Sequence, residues 1–283
     1  MKLAAGELEA TFAPEAGMVC HSLRHRGAEL LGQRDGLEAY ARTGKTMGIP
    51  FLHPWANRLG AWSYTALGRT VDLHGTPVRA DAGTGLPMHG TLPRAWTVLD
   101  DGVAELDGAS DAFPFAHTVR LEVELGDALR ITTTIEAHDE PVPVSFGFHP
   151  FLLIPGVPRR AWHVHLMVNN RFKLSDQQIP TGETEPVEPY VGPLGDRAYD
   201  DGYSELADGP FVVEGGDRRI EVHFEEGFPF AQVFAPPAND LISFEPMTAP
   251  TDALRSGGFP VAEPGKPYRA VFAIVVHQRR QKP

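Results

Sequence analysis

The chain has 283 residues, 42% of them hydrophobic and 22% charged, enough for one large domain with a true core. Its net charge of −12 argues against nucleic acid and anionic membrane as partners, and its single cysteine, Cys20, excludes an intrachain disulfide or a multi-cysteine metal site. Glycine (29) and proline (26) make it rich in turns, below the content that marks a disordered chain.

The first residues, MKLAAGELEATFAPEAG, meet acidic side chains before any long apolar run and do not read as a secretory signal. No stretch approaches the ~20 apolar residues of a membrane span. A soluble cytoplasmic protein is therefore expected. GLEAYARTG, residues 36–44, has a turn or two of helical periodicity. GIPFLHPWANRLGAW, residues 48–62, is apolar and turn-like, yet carries Asn57 and Arg58. Arginine is essentially always charged and presents a planar fork of donors, so Arg58 implies either a neighbouring acid or a ligand. WSYTALGRTVDL reads as a hairpin around Leu67 and Gly68, and GLPMHGTLPRAW places His89, followed by Gly90, in a loop before a strand that begins at Trp96. Asp-Gly pairs at 35, 101, 107, 201 and 208 mark further turns.

Residues 117–137 form the clearest hairpin. Val119, Leu121, Val123 and Leu125 alternate with Arg120, Glu122 and Glu124; Gly126 and Asp127 offer a two-residue turn, and Leu129, Ile131 and Ile135 resume the alternation. In SFGFHPFLLIP, residues 145–155, period two puts Val142, Val144, Phe146 and Phe148 on one face and Ser145, Gly147 and His149 on the other. Pro150 cannot donate a ladder hydrogen bond, so regular pairing should end beside the histidine. WHVHL sets His163 and His165 on one face at a metal-ligand spacing, but MVNNRFKL follows without a carboxylate, so edge or surface histidines are expected. FVVEGGDRRIEVHF forms another hairpin around Gly215 and Gly216.

LISFEPMTAP, residues 241–250, repeats the design of the histidine segment. Ile242 and Phe244 share one face and Leu241, Ser243 and Glu245 the other, so a carboxylate ends an apolar strand just before a proline. Burying an unpaired carboxylate is costly. A glutamate and a histidine at the ends of two such strands suggest an acid–base pair facing one cleft. PTDALRSG offers a second short helix, YRAVFAIVVHQ a closing strand, and HQRRQKP a solvated basic tail. Many short strands with no repeat, linker or break in composition argue for one domain over residues 1–283, a large antiparallel β-sandwich. No G-x-S-x-G elbow and no phosphate-cradling glycine loop is present.

PWANRLGAW, MHGTLPRAW, FGFHPFL, DDGYSEL, AQVFAP and FEPMTAP occur in the order seen in the aldose 1-epimerase (galactose mutarotase) family, and the chain resembles that family from about Gly48 to Ala253. The resemblance implies an all-β fold, the galactose mutarotase-like antiparallel β-super-sandwich, with a monosaccharide bound in a cleft on one sheet. It implies His149 as general acid on the ring oxygen and Glu245 as general base on the C1 hydroxyl. Asn57, Arg58, His89, Asp200 (through DDGY) and Gln232 (through the Gln-Val-aromatic run) would contact the sugar. His89 is followed by Gly-Thr where the family often has Gly-Gly, and two aspartates precede the glycine of DDGY, so Asp200 over Asp201 is a choice of register.

Interconverting the anomers of a free monosaccharide needs one proton removed from the C1 hydroxyl and one delivered to the ring oxygen, with no cofactor, metal or covalent intermediate. A glutamate of pKa ~4.3 and a histidine of pKa ~6.5 suit that exchange. Three other readings stand beside it. A hexose-6-phosphate epimerase would need an arginine cluster, for which Arg24, Arg26, Arg79 and Arg94 are candidates. A non-catalytic carbohydrate-binding protein would stack sugar on Trp55, Trp62, Trp96 or Trp162, although core packing suits most of these better. A glycoside hydrolase or lyase would need a second acid opposite Glu245. Composition leaves the oligomeric state open.

Overall fold

The computed structural model describes residues 1–92 and 95–278. Two antiparallel sheets dominate it. One has nine strands, ordered Thr97–Asp100, Val103–Asp107, His117–Leu125, Ala128–Ala137, Tyr268–Gln278, Arg218–Glu226, Phe211–Gly215, His163–Leu166 and Tyr190–Pro193. The other has seven, ordered Pro180–Pro186, Val168–Leu174, Tyr199–Leu206, Phe230–Ala235, Ser243–Met247, Gly147–Phe148 and Phe51–Leu52. A four-stranded sheet of residues 2–29 and three two-stranded ribbons complete it.

Alternation explains how the two large sheets meet. From the nine-stranded sheet Val119, Leu121, Ile131, Ile135, Val222 and Phe272 point inward, and from the seven-stranded sheet Phe148, Ala231, Val233 and Phe244 do so, all joining one buried cluster. Phe148 lies 4.9 Å from Phe272 and Phe244 stacks 5.4 Å from Phe211, ring centre to ring centre, so aromatic contacts close the sandwich. Trp55, Trp96 and Trp162 are buried in the same cluster and Trp62 packs against it, as expected for core tryptophans. The outward face of the seven-stranded sheet carries Gln232, Phe234 and Glu245, and these line a cavity.

The helix at residues 36–44 forms over Gly36–Thr43 and stops at Gly44, which takes the left-handed conformation (φ 70°). Ala253–Ser256 is the second short helix, and Tyr268–Gln278 is the closing strand, as anticipated. Ala66 faces Arg69 across Leu67 and Gly68, both at positive φ (47° and 77°), a two-residue turn matching the strand twist. The turn of the long hairpin is one residue longer than expected: Leu125 faces Leu129, leaving residues 126–128 between them. Asp35–Gly36 opens the first helix instead of a strand turn.

Asp201–Gly202 departs further from expectation, lying inside the strand Tyr199–Leu206. A Cβ at Gly202 would come within 3.1 Å of Gln232 Oε1 and 3.2 Å of the Phe172 ring, so this glycine makes room for a neighbouring side chain. Regular pairing ends at Phe148, just before His149 and Pro150, as the proline requires. Glu245 does not end its strand. Ser243–Met247 continues two residues beyond it, through Pro246. His163 and His165 sit in the strand His163–Leu166, and no group of three His, Cys, Asp or Glu residues converges among the described residues. No described helix is long and apolar enough to cross a membrane.

Gly147 sets the spacing of the sheet beside the histidine. It pairs with Leu52 on one side and Met247 on the other, and a Cβ there would meet the Pro246 carbonyl at 2.8 Å and Ala56 Cβ at 3.0 Å. Gly147→Ala is expected to destabilise the fold by about 1–3 kcal/mol, the usual cost of overpacking. Gly126→Ala, with nothing within 4 Å, should be neutral or slightly stabilising. Urea unfolding of both variants checks this; equal midpoints would mean that the strands beside His149 yield freely.

Candidate active site

Four neighbouring segments of the seven-stranded sheet deliver the polar side chains. Gln232 pairs directly with Glu245, Gly202 pairs with Gln232, and Gly147 pairs with Met247, placing His149 two residues beyond a paired position. Two loops cross this surface, one carrying Asn57 and Arg58 and one carrying His89. All seven residues selected from the sequence, Asn57, Arg58, His89, His149, Asp200, Gln232 and Glu245, line one cavity of about 520 Å³. Asp200 faces this cavity. Asp201 lies on the other face of its strand, 3.6 Å from the Arg171 guanidinium.

His149 and Glu245 are in direct contact. The imidazole Nε2 lies 3.2 Å from Glu245 Oε1, and Nδ1 lies 2.9 Å from the Ser243 hydroxyl. Serine can donate or accept, so Ser243 supports either tautomer of His149 and lets the pair's proton sit on nitrogen or oxygen. Phe151 stacks on the imidazole at 4.0 Å and Phe234 meets it edge-on at 5.5 Å, fixing the ring plane. The two groups face one cleft, as the sequence suggests, and stand in contact there. Groups this close can reach neighbouring atoms of one ligand, such as two oxygens on one carbon.

The loops are locked to each other by their backbones. Asn57 and His89 both adopt the left-handed region (φ 59° and 60°), uncommon for residues other than glycine. The Asn57 amide donates to His89 Nδ1 at 3.1 Å, and the His89 amide donates to the Asn57 carbonyl at 2.8 Å. With Nδ1 accepting, the proton of the neutral ring sits on Nε2. Gly90 follows at φ 62°, and a Cβ there would fall 2.2 Å from the His53 carbonyl oxygen, so glycine is required for this close approach. Arg58 reaches Asp81 at 3.3 Å and Asn57 Oδ1 at 3.2 Å. Gln232 Nε2 donates to Asp200 at 2.8 Å.

Burial dominates the electrostatics. It raises the Glu245 carboxyl well above the usual carboxylate range, helped by the like charge of Asp200 and opposed by Arg58. Burial also pushes His149 down to about 3, with Arg34 and Arg79 adding repulsion. His89 is held neutral by burial and then by His149, Arg79 and Arg58. Asp200 is raised chiefly by burial, against Arg58 and the Gln232 hydrogen bond. The folded pair therefore favours one proton and no net charge.

Several residues in or beside the cavity have no clear signal in the sequence. Ser243 was visible only as a small residue on the glutamate's face. Phe151, Phe234 and Asp81 sit in ordinary apolar or turn contexts, Arg34 and Lys45 flank the first helix, and Arg42 lies in its last turn. Of the four arginines considered for a phosphate, Arg24 and Arg26 pair with Glu29 and Glu7 away from the cavity. Arg79 lines the cavity, and Arg94 lies outside the described residues.

The raised Glu245 carboxyl has a consequence for stability. Below the ordinary carboxylate pKa of ~4.3, folded and unfolded chains both hold the proton, and the group costs nothing. Above it the unfolded chain releases the proton first, so stability falls by about 1.4 kcal/mol per pH unit until the folded group ionises. Glu245→Gln removes this loss. Its melting temperature should exceed that of the wild type near pH 7, and the gap should close toward about pH 4. A gap independent of pH would mean that Glu245 is ionised in the folded protein.

Comparison with known proteins adds an independent line. The sequence profile described as aldose 1-epimerase matches residues 3–275. Among solved structures, a galactose mutarotase-like protein from Clostridium acetobutylicum superposes with a TM-score of 0.80 at 19% identity, covering 98% of this chain and 94% of that one. An aldose epimerase homologue from C. elegans gives 0.80 at 15% identity, covering 99% of each chain. A galactose mutarotase related enzyme from Lactobacillus acidophilus gives 0.79 at 17% identity, covering 100% and 98%. Comparison with curated proteins by sequence gives no match. At these identities the structural likeness speaks to the fold, the galactose mutarotase-like β-sandwich. With its profile matched over nearly the whole length, the chain belongs to the aldose 1-epimerase family.

Proposed function

We propose that this protein is a cofactor-independent aldose 1-epimerase that interconverts the α and β anomers of a monosaccharide, with His149 and Glu245 exchanging protons with the sugar. The observation that carries the reading is their direct contact at 3.2 Å inside a cavity lined by hydrogen-bonding groups. The ring oxygen and the C1 hydroxyl are both bonded to C1, so two catalytic groups in contact match two oxygens on one carbon. His149 Nε2 delivers a proton to the ring oxygen while Glu245 accepts the C1 hydroxyl proton. The ring opens, C1 turns about its bond to C2, and closure on the other face runs the transfers backward. One proton on the pair suffices, because each step returns what it takes.

Arg58, His89 and Asn57 supply donors to the sugar oxygens, and Asp200, held by Gln232, accepts from a hydroxyl. His89, neutral with its proton on Nε2, donates without adding a charge next to His149. A sugar-binding protein without catalysis would have no use for a buried glutamate set against a histidine. Hydrolysis would call for a second carboxyl placed across the scissile bond. The nearest further carboxyl of the cavity floor, Asp200, is engaged with Gln232 on the same sheet.

Polarimetry on freshly dissolved aldoses tests the reading. Glu245→Gln and His149→Asn are each expected to slow anomerisation by at least about 10²-fold, the low end for a positioned acid or base. The double variant should lose less than the product of the two effects, since both act in one exchange. Near-normal turnover in Glu245→Gln would leave sugar binding as the better account.

The pH profile of kcat/KM should be a broad plateau belonging to the one-proton pair. Ordinary pKa values would assign the acidic limb to carboxylate ionisation and the basic limb to imidazolium. Burial exchanges these: the acidic limb is a second proton on His149, displaced toward about 3, and the basic limb is loss of the proton from the raised Glu245. An acidic limb near the ordinary histidine value of ~6.5 would contradict this order.

Arg58→Ala is expected to lower the rate by roughly 10–100-fold, the worth of a hydrogen bond to a charged group. Because Arg58 also contacts Asp81 and Asn57, the variant should unfold about 1–3 kcal/mol more easily as well, since it leaves buried polar groups unsatisfied. Thermal unfolding beside rate measurements separates the two losses, and an unchanged rate would make Arg58 purely structural.

A further inference from the structure

The charges lining the cavity are unevenly matched. Lys45 pairs with Asp35, and Arg58 pairs with Asp81. Arg34, Arg42 and Arg79 also line the cavity, and among the described residues none of them reaches a carboxylate within 4.0 Å. This occurs in a chain where Asp and Glu outnumber Lys and Arg by 37 to 25, so acidic partners are not scarce. Arg34 and Arg42 are exposed and can be solvated, but Arg79 is half-buried. Asp81 acts on Arg79 but is already engaged with Arg58 at 3.3 Å, so this partly desolvated guanidinium has no carboxylate of its own, which is costly.

Two of these cations, Arg34 and Arg79, lie on the side of His149. The Arg34 guanidinium sits 5.1 Å from the centre of the Phe151 ring, and that ring stacks on His149 at 4.0 Å. Arg34 and Arg79 both act on His149, and Arg79 acts on His89. Asp200 acts on Glu245, and Asp81 acts on both Asp200 and Arg79 and so stands between the two groups. The His149 side of the pair thus carries arginines, and Glu245 has Asp200 as its acidic neighbour.

A pyranose bound as described above has a fixed direction in that field. Its ring oxygen, at His149, is bonded to C1 on one side and C5 on the other. With the C1 hydroxyl at Glu245, C5 and its C6 substituent extend past His149, toward the arginines. We propose that Arg34, Arg42 and Arg79 form a subsite for an anion at C6, and that the substrates of this enzyme are aldoses carrying a phosphate or a carboxylate there. The proposal rests on the 1-epimerase reading for the direction of the sugar. Planar guanidinium forks match both anions, so the chemistry at C6 is shared by two sugar classes, the 6-phosphates and the uronic acids.

The test measures anomerisation of freshly dissolved glucose, glucose 6-phosphate and glucuronic acid, and of their galactose counterparts, in a phosphate-free buffer of low ionic strength. At least one C6 anion should show a kcat/KM at least 10-fold above its neutral parent, and which one does so names the class. The ratio of anion to parent should fall by roughly 10–100-fold in Arg79→Gln, and should fall with added salt as exposed charges are screened. Arg34→Gln, at an exposed position, provides the same readout should Arg79→Gln fail to fold. Neutral parents processed as well as or better than the anions would overturn the subsite while leaving the 1-epimerase reading in place. So would a ratio unchanged in the variants. If no sugar is anomerised, thermal stabilisation of the Glu245→Gln protein decides. Stabilisation by C6 anions over their parents, lost when Arg79→Gln is added, supports the subsite, and equal effects overturn it.

Discussion

A histidine and a glutamate 3.2 Å apart, both withdrawn from water, are the constraint around which the rest of this molecule is arranged. Neither charge is comfortable there, since burial favours the neutral form of each. With both groups in their neutral forms the pair carries one proton and no net charge. Ser243 accommodates either location of that proton, and the Phe151 and Phe234 rings keep the imidazole from turning away. A surface pair of the same residues would be solvated and would feel no such pressure toward its neutral forms.

The sheet supplies the rigidity this arrangement needs. Gln232 and Glu245 are direct partners in the ladder, and the strand of Asp200 is the next neighbour, so three functional side chains are set by backbone hydrogen bonding alone. Small residues make the spacing possible. Gly147 lets its strand lie against the Pro246 carbonyl, and Gly202 gives the Gln232 side chain space to reach Asp200. Above the sheet, Asn57 and His89 accept left-handed backbones of the kind that concentrate at functional sites. Their reciprocal hydrogen bonds hold both loops over the cavity.

Charge is distributed on a longer scale than any one contact. The protein as a whole is acidic, yet arginines line the cavity and two of them, Arg34 and Arg79, act on His149. Repulsion from Arg34 and Arg79 adds to burial in keeping His149 neutral, so the same cations that would receive an anion also influence the proton-transfer group. An anion seated among them would relieve that repulsion and raise the proton affinity of His149. Substrate recognition and readiness for acid catalysis would then be coupled through the imidazole.

Much of this was legible in the chain itself, because local rules govern it. Period-two alternation marked the hairpins at 63–72 and 211–226. Glycine at positive φ marked the end of the first helix, and Pro150 marked the end of regular pairing next to His149. A polar residue stranded on an apolar strand singled out His149 and Glu245, and ordered short motifs pointed to Asn57, Arg58, His89, Asp200 and Gln232. Contacts between distant segments were beyond reach. Asp201–Gly202 looked like a turn because its need for space comes from Gln232 and Phe172, which are remote in sequence. The partnership of Arg58 with Asp81, the direct contact of His149 with Glu245, and the gathering of Arg34, Arg42 and Arg79 depend on how loops fold back over the sheet. Burial decided the proton affinities as well, since desolvation belongs to the surroundings of a group and not to its residue type. Sequence determined which side chains were available and which backbone states they could adopt; the tertiary structure alone decided their distances, their shared cavity and the order in which they titrate.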